Sequence, residues 1–157
     1  MQNVTAKALA EQFSGENLKA IAWVEGCSDA QWHRGCGNDT RPAGVVIHHM
    51  AASYLPNSQL VQLAANGLAL PVLTLDMFHH GNAKDAVTHA NCTQAEVASL
   101  LRANGETVMA MMSQLSQEQL AREFHFPLFG ATVSTAALIE AMLIGHTRSH
   151  LAEIQAA

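Results

Sequence analysis

The chain has 157 residues, an ordinary length for one hydrophobic core, and we predict a single domain over residues 1–157. Hydrophobic residues make up 49% of the sequence but aromatic residues only 5%, a balance typical of packed helices rather than sheets. The formal net charge is -5, and the eight Lys and Arg residues are scattered singly, which argues against a nucleic-acid partner.

The sequence shows no pattern typical of a signal peptide, a membrane span or a disulfide framework. The N-terminal segment lacks the apolar core of a signal peptide, and no apolar run approaches the ~20 residues of a membrane span. We therefore predict a cytoplasmic protein with no membrane partner. Cys27, Cys36 and Cys92 are odd in number and form no CxxC pair, so they are predicted to be free thiols rather than disulfides or zinc ligands.

The first half of the chain predicts two long helices. One runs from about Thr5 to Gly26, with apolar residues at near-helical spacing: Leu9, Phe13, Leu18, Ile21 and Val24. Ser28 with Gln31 three residues on is a capping-box pattern, which predicts a short helix that presents Trp32. After the loop "GCGNDTRP", a second helix begins near Pro42 and continues through "VVIHHMAASYLPNSQLVQLAANG", with a kink at Pro56.

The second half predicts two further long helices after a connection. "LALPVLTLDMFHHGN" is predicted to be a long crossover, and "AKDAVTHAN" favours a helix. Thr93 and Glu96 form a capping box at the start of the third helix, and "SQEQLAREF" predicts a short helix before the extended or turned stretch "HFPLFGATV". Ser134 can cap the last helix. The predicted fold is all-α, a four-helix bundle with a long crossover connection.

The last helix carries two histidines on an apolar stripe. Its members advance by three or four residues: Ile139, Leu143, His146, His150 and Ile154. Imidazoles at i and i+4 have Cβ atoms ~5–6 Å apart, so both can reach one ion at ~2.0–2.1 Å. Metal binding is the favoured interpretation of this pair; half-buried rings that only hydrogen-bond to neighbours or water are the alternative.

A third ligand is expected from "VVIHHM" in the second helix. Adjacent residues of a helix point ~100° apart, so only one of the two imidazoles is expected to face the core. His49 shares a face with Val45 and Leu60, whereas His48 shares one with Gln59 and Gln62. His49 is therefore the predicted inward ligand. His48 is predicted to be solvated or to face a dimer partner, and the same interpretation stays open for His49.

Other histidines and other metal-binding motifs could also supply a site. His79 and His80 lie in the crossover, where an exposed loop is expected and a pocket-lining role is the alternative. His33, His89 and His125 have no partner at ligand spacing, and the sequence contains no Glu-x-x-His or HExxH motif. A mononuclear three-His site with open coordination positions remains, which is a catalytic rather than a structural arrangement.

Several segments resemble one known family. "RPAGVVIHHMAASY" is similar to its second helix and "LIEAMLIGHTRSHLAEIQAA" to its closing H-x-x-x-H helix, with further likeness in "SDAQW" and "CTQAEVASLLRANGETV". The family is the DinB/YfiT-like metalloenzyme superfamily, which includes mycothiol-dependent maleylpyruvate isomerase. The resemblance spans nearly the whole chain, and it implies a divalent zinc or nickel ion on His49, His146 and His150 and a homodimer. Some members are thiol-dependent transferases or isomerases, and others have no assigned activity.

The functional hypothesis is a metal-dependent enzyme that acts on a small molecule by activating a water or a low-molecular-weight thiol at the metal. Glu153 could orient His150, although an exposed salt bridge is the favoured role, and Asp76 is an equally open choice of base. The pocket wall is predicted to involve the crossover from Asp76 to Asn82 and Trp32 or Tyr54. The alternative is a non-catalytic metal-binding or ligand-binding bundle that acts as a stress-related dimer; a metal-free bundle with histidines as packing is a third possibility.

Overall fold

The computed structural model describes residues 4–38 and 40–157. The long helices are α1 (Ala6–Gly26), α3 (Ala43–Ala65), α4 (Leu75–Thr88) and α5 (Gln94–Ser113), and the short ones are α2 (Asp29–Trp32) and α6 (Gln117–Ala121). The last helix is continuous and comprises α7 (Thr135–Ile139), a π-helical turn (Glu140–Gly145) and α8 (His146–Ala156). Two small antiparallel hairpins pair β1 (Gly35–Cys36) with β2 (Arg41–Pro42) and β3 (Glu123–Phe126) with β4 (Ala131–Ser134).

Four long helices enclose the core: α1, α3, α5 and the last helix. α1 packs on α5, and α3 packs on both α5 and the last helix. Large side chains with almost no exposed surface fill the space between them, among them Phe13, Tyr54, Leu101, Met112 and Ile139. α4 lies in the crossover between α3 and α5. The all-α bundle with a long crossover is therefore confirmed.

Helix starts follow the capping residues that the sequence contains. Thr5, Thr93 and Ser134 each accept a hydrogen bond from the backbone N–H three residues on, and so do Ser28 and Ser116. These side chains satisfy donors that a helix N-terminus leaves without a partner. Pro56 lies inside α3 without ending it, as predicted.

Two local predictions are wrong. Leu18 does not belong to the buried stripe of α1, because its side chain is 61% exposed. The crossover is helical over more of its length than predicted: α4 covers residues 75–88, so the helix expected in "AKDAVTHAN" is present but begins eight residues earlier, within the connection. The Thr74 hydroxyl caps it by accepting from the Met77 N–H at 3.2 Å, and Asp76 in the first turn favours its N-terminal dipole.

α3 is buried on almost all sides, which a helix at the edge of a bundle would not be. Its first six residues, from Ala43 to His48, are an unbroken buried run, because α5, α4 and the last helix all pack against α3. A helix with more than one buried face lies largely in the core. Among the described residues, no helix combines the length and the apolar character needed to span a membrane.

Candidate metal centre

His49, His146 and His150 converge between α3 and α8. One donor nitrogen from each lies within 4.8 Å of the other two. The His146 and His150 Nε2 atoms are 3.2 Å apart, and the His49 ring centroid is 5.7 Å from that of His146 and 5.4 Å from that of His150. The structure therefore brings the three predicted ligands together, with His49 rather than His48 facing the pair.

Glu153 orients one of these rings. Its Oε2 lies 3.0 Å from His150 Nδ1, and only 24% of its side chain is exposed. An N–H on Nδ1 that donates to this carboxylate leaves Nε2 with a free lone pair, which is the form that binds a metal. The expectation that Glu153 forms an exposed salt bridge is therefore wrong, since the carboxylate faces His150.

The imidazoles are held neutral by their surroundings. Burial, together with the neighbouring charges of His150 and His49, lowers the pKa of His146 to about 3. Burial and the charges of His49 and Arg41 lower the pKa of His150 to about 4. Burial also lowers the pKa of His49, against the opposing charge of Asp85. Only a neutral imidazole offers a lone pair to a metal.

These donors fit a divalent ion. Two ligands at ~2.0–2.1 Å in a tetrahedral arrangement are separated by about 3.4 Å, close to the 3.2 Å between the two Nε2 atoms. His146 Nδ1 is buried without a hydrogen-bond partner among the described residues, so no hydrogen bond at this atom explains the position of the ring. Three neutral imidazoles form a donor set that suits zinc, nickel, copper or iron.

The π-helical turn directly precedes the two histidines of α8. An added Cβ on Gly145 would lie 2.8 Å from the Glu140 carbonyl oxygen, so glycine permits the close approach found there. Asn57 of α3 donates to the Met142 carbonyl at 2.7 Å and joins the turn to the helix that carries His49. π-helical turns are frequent at functional sites. This turn was not predicted, because the apolar spacing does not distinguish it from α-helix.

The three histidines line a cavity of about 820 Å³ with mostly apolar walls. Its other lining residues include Leu60, Leu63, Phe78, Phe129 and Met142. The predicted wall is partly wrong: Trp32 packs against Gly44, and Tyr54 is fully buried in the core near Thr147.

The crossover contributes to the cavity wall through α4. His79 and Asn82 line the cavity, whereas Asp76 and His80 are exposed and are not among its lining residues. His79 therefore has the pocket-lining role that the sequence analysis gives as the alternative for His79 and His80. Asp76 is the wrong choice of base, because its side chain does not face the site.

The structure overturns two predictions for histidines outside the site. His48 is neither solvated nor available to a dimer partner, since only 5% of the residue is exposed. His89, which was assigned no role, stacks on His48 with ring centroids 3.9 Å apart. Asp85 lies beside both rings, a contact that the sequence analysis does not predict. The four-residue spacing from Asp85 to His89 was the signal, the same spacing that marked His146 and His150.

The cysteines of the described chain are free thiols, as predicted. Burial raises the pKa of the Cys36 thiol, and the charge of Glu153 adds to that rise. Burial also raises the pKa of Cys92. A protonated thiol is a weak nucleophile, so neither residue is prepared for covalent catalysis.

Comparison with known proteins identifies a family and a fold. The model of the DinB superfamily matches residues 12–154, and no curated protein matches the chain. A crystal structure of an uncharacterized protein from Clostridium difficile 630 is similar, with a TM-score of 0.75 and 14% identity over 96% of this chain and 94% of that one. A structure titled "Sibling Lethal Factor Precursor - DfsB" has a TM-score of 0.67 and 14% identity over 97% and 94% of the two chains. At these identities the likeness is one of fold.

Proposed function

The chain belongs to the DinB superfamily, and from this premise we propose that it is a metal-dependent enzyme whose single catalytic ion is held by His49, His146 and His150. Members of the superfamily commonly bind divalent metals. One observation carries the proposal: three imidazoles with lowered pKa values converge from two helices on one large cavity. Such a donor set leaves coordination positions open, as catalytic sites do.

Each residue of the site has a defined task in this proposal. His49, His146 and His150 supply neutral donors, and Glu153 fixes the tautomer and the ring angle of His150. When bound, a divalent ion on three imidazoles supplies Lewis-acid chemistry that lowers the pKa of a water or a thiol. The apolar walls bind the body of a small substrate and exclude bulk water.

The nucleophile is expected to come from outside the chain. Cys36 and Cys92 are held as thiols by burial, so the proposed reaction uses water or a low-molecular-weight thiol as co-substrate. The reaction class is transfer of that nucleophile to a small electrophile or isomerisation through it. A homodimer, zinc or nickel as the ion, and a cytoplasmic location remain predictions.

The first test is elemental analysis of untagged, dialysed protein. We expect the His146→Ala and His49→Ala variants to lose about one equivalent of zinc or nickel relative to wild type. His33→Ala is the matched control, because His33 is 64% exposed and lies apart from the site. Metal content that is unchanged in both site variants would contradict the proposal.

The second test separates an enzyme from a binding protein. Metal-loaded protein is screened with thiols and small electrophiles, and we expect turnover that His146→Ala abolishes while its circular dichroism spectrum stays unchanged. Sustained inactivity of fully loaded wild type would favour the alternative, a non-catalytic metal-binding or ligand-binding bundle.

A further inference from the structure

We propose that His48, Asp85 and His89 form a second divalent-metal site, behind the three-His site and open to a different cleft. His48 comes from α3, Asp85 comes from the last turn of α4, and His89 is the C-cap residue that follows this helix. One donor atom from each lies within 4.8 Å of the other two. His48 and its neighbour His49 point about 100° apart on one helix, so each ring joins a different cluster, and Asp85 lies between the two rings.

The distances within this cluster suit a shared ion better than direct hydrogen bonds. His48 Nδ1 lies 3.8 Å from Asp85 Oδ2, and His89 Nε2 lies 3.4 Å from Asp85 Oδ1. The first separation is too long for a hydrogen bond, and the second lies beyond the usual range. Ligands of one tetrahedral ion are separated by about 3.4 Å, so an ion between the three groups would need only small side-chain adjustments.

Two buried polar atoms of the cluster lack a partner. His48 is 5% exposed, and neither its Nδ1 nor Asp85 Oδ2 has a hydrogen-bond partner among the described residues. A buried polar group without a partner costs ~1–3 kcal/mol, and more when it is charged. Two such atoms that face each other across 3.8 Å are explained if a cation lies between them.

The charge distribution also favours a cation. The His48 and His89 rings are stacked at 3.9 Å between centroids, and two imidazolium charges at that distance would repel. The donor set comprises two imidazoles and one carboxyl group, a combination that binds zinc and ferrous iron.

The cluster can be reached from solvent. A cleft of about 680 Å³ is lined by His48, His89, Cys92 and Glu96. Neither neighbour is free to replace Asp85: the Glu96 carboxylate accepts from the Thr93 N–H at 2.7 Å in the capping box, and the Cys92 thiol donates to the Gly44 carbonyl. The ligands are therefore the two imidazoles and Asp85, and positions facing the cleft remain open.

The test is a zinc titration of metal-free full-length protein by isothermal calorimetry. We expect two equivalents in wild type, one in His89→Gln and one in His146→Gln. His89 is the position of choice because 40% of its side chain is exposed, so its replacement leaves the core intact, and because Asp85 also lies 3.9 Å from His49 Nδ1. His125→Gln, which removes an exposed histidine of β3, should keep both equivalents.

The outcomes separate this inference from the proposed function. The second site is overturned if His89→Gln binds as much zinc as wild type, or if wild type binds a single equivalent that His146→Gln removes. Loss in His89→Gln together with an unchanged count in His146→Gln supports the second site and overturns the three-His site instead. As an independent readout in the His146→Gln protein, zinc should shift the imidazole ¹⁵N resonances of His48 and His89, and unshifted resonances would also overturn the inference.

Discussion

Glu153 is the residue through which metal affinity at the proposed three-His site should change without removal of a ligand. It accepts from His150 Nδ1 at 3.0 Å. Loss of such an outer partner typically costs 10–100-fold in metal affinity. We expect Glu153→Ala to weaken zinc binding by about this factor at unchanged stoichiometry, measured by competition with a chromophoric chelator. Glu106→Ala, on the exposed side of α5, is the control, and equal affinities in the two variants would contradict the orienting role.

The lowered pKa values of His146 and His150 make the metal-free protein sensitive to acid. Their folded pKa values are about 3 and about 4, whereas an unfolded chain protonates both rings near pH ~6.5. The unfolded state therefore binds more protons as the pH falls below ~6.5, and the native state loses stability until the pH reaches the folded pKa values.

We therefore expect the free energy of unfolding to fall on the order of 2 kcal/mol for each of these rings between pH 7 and pH 5. His146→Gln, which cannot titrate, should reduce that loss by the contribution of one ring. Urea denaturation at the two pH values checks this. An identical pH dependence in wild type and variant would show that His146 is accessible to protons in the native state.

At the scale of helices, two glycines offer a matched test of how α1 packs on α5. A Cβ added to buried Gly105 of α5 would lie 2.3 Å from Asn17 Nδ2, a buried amide that donates to the Leu101 carbonyl. No heavy atom lies within 4 Å of the corresponding position at Gly15 of α1. Gly105→Ala should destabilise the protein by about 1–3 kcal/mol, and Gly15→Ala should stabilise it by about 0.5–1 kcal/mol. Denaturant midpoints of both variants provide the measurement, and a stabilising Gly105→Ala would contradict the close packing.

Helix starts and the main buried faces were predictable because they depend on local chemistry. Thr5, Ser28, Thr93 and Ser134 cap helices wherever the sequence places them. The four-residue spacing of His146 and His150 within one α-helix placed both on one face, and that spacing survives because the π-helical turn ends before His146. Local periodicity suffices for such features.

The features that were missed depend on contacts between distant segments. The burial of His48 follows from α4 and α5 covering a helix face whose other members, such as Gln59 and Gln62, are exposed. Asp85 and His89 become neighbours of His48 only after the crossover folds as one helix over α3. The prediction for His48 assumes that α3 has one buried side, whereas α3 is buried on more than one side.

At the scale of the whole molecule, α4 differs from the other long helices. None of its residues, 75–88, is buried, although Asp85 lies beside both histidine clusters. Helices with few buried apolar contacts open at low free-energy cost. We expect amide hydrogens of α4 to exchange faster than those of α1, α3 and α5, and zinc to slow the exchange near Asp85 and His89. Hydrogen-exchange mass spectrometry provides the measurement, and equal protection of all four helices would contradict it.

α4 borders both clefts and has no buried residue of its own. The lifetime of an ion or ligand bound in either cleft should therefore depend on how often this helix detaches from the bundle. Strong individual bonds to imidazole would then coexist with rapid exchange, since a short-lived opening exposes both clusters at once. Residence time in this protein is therefore a property of the crossover, while the rigid bundle beneath it determines which groups are presented.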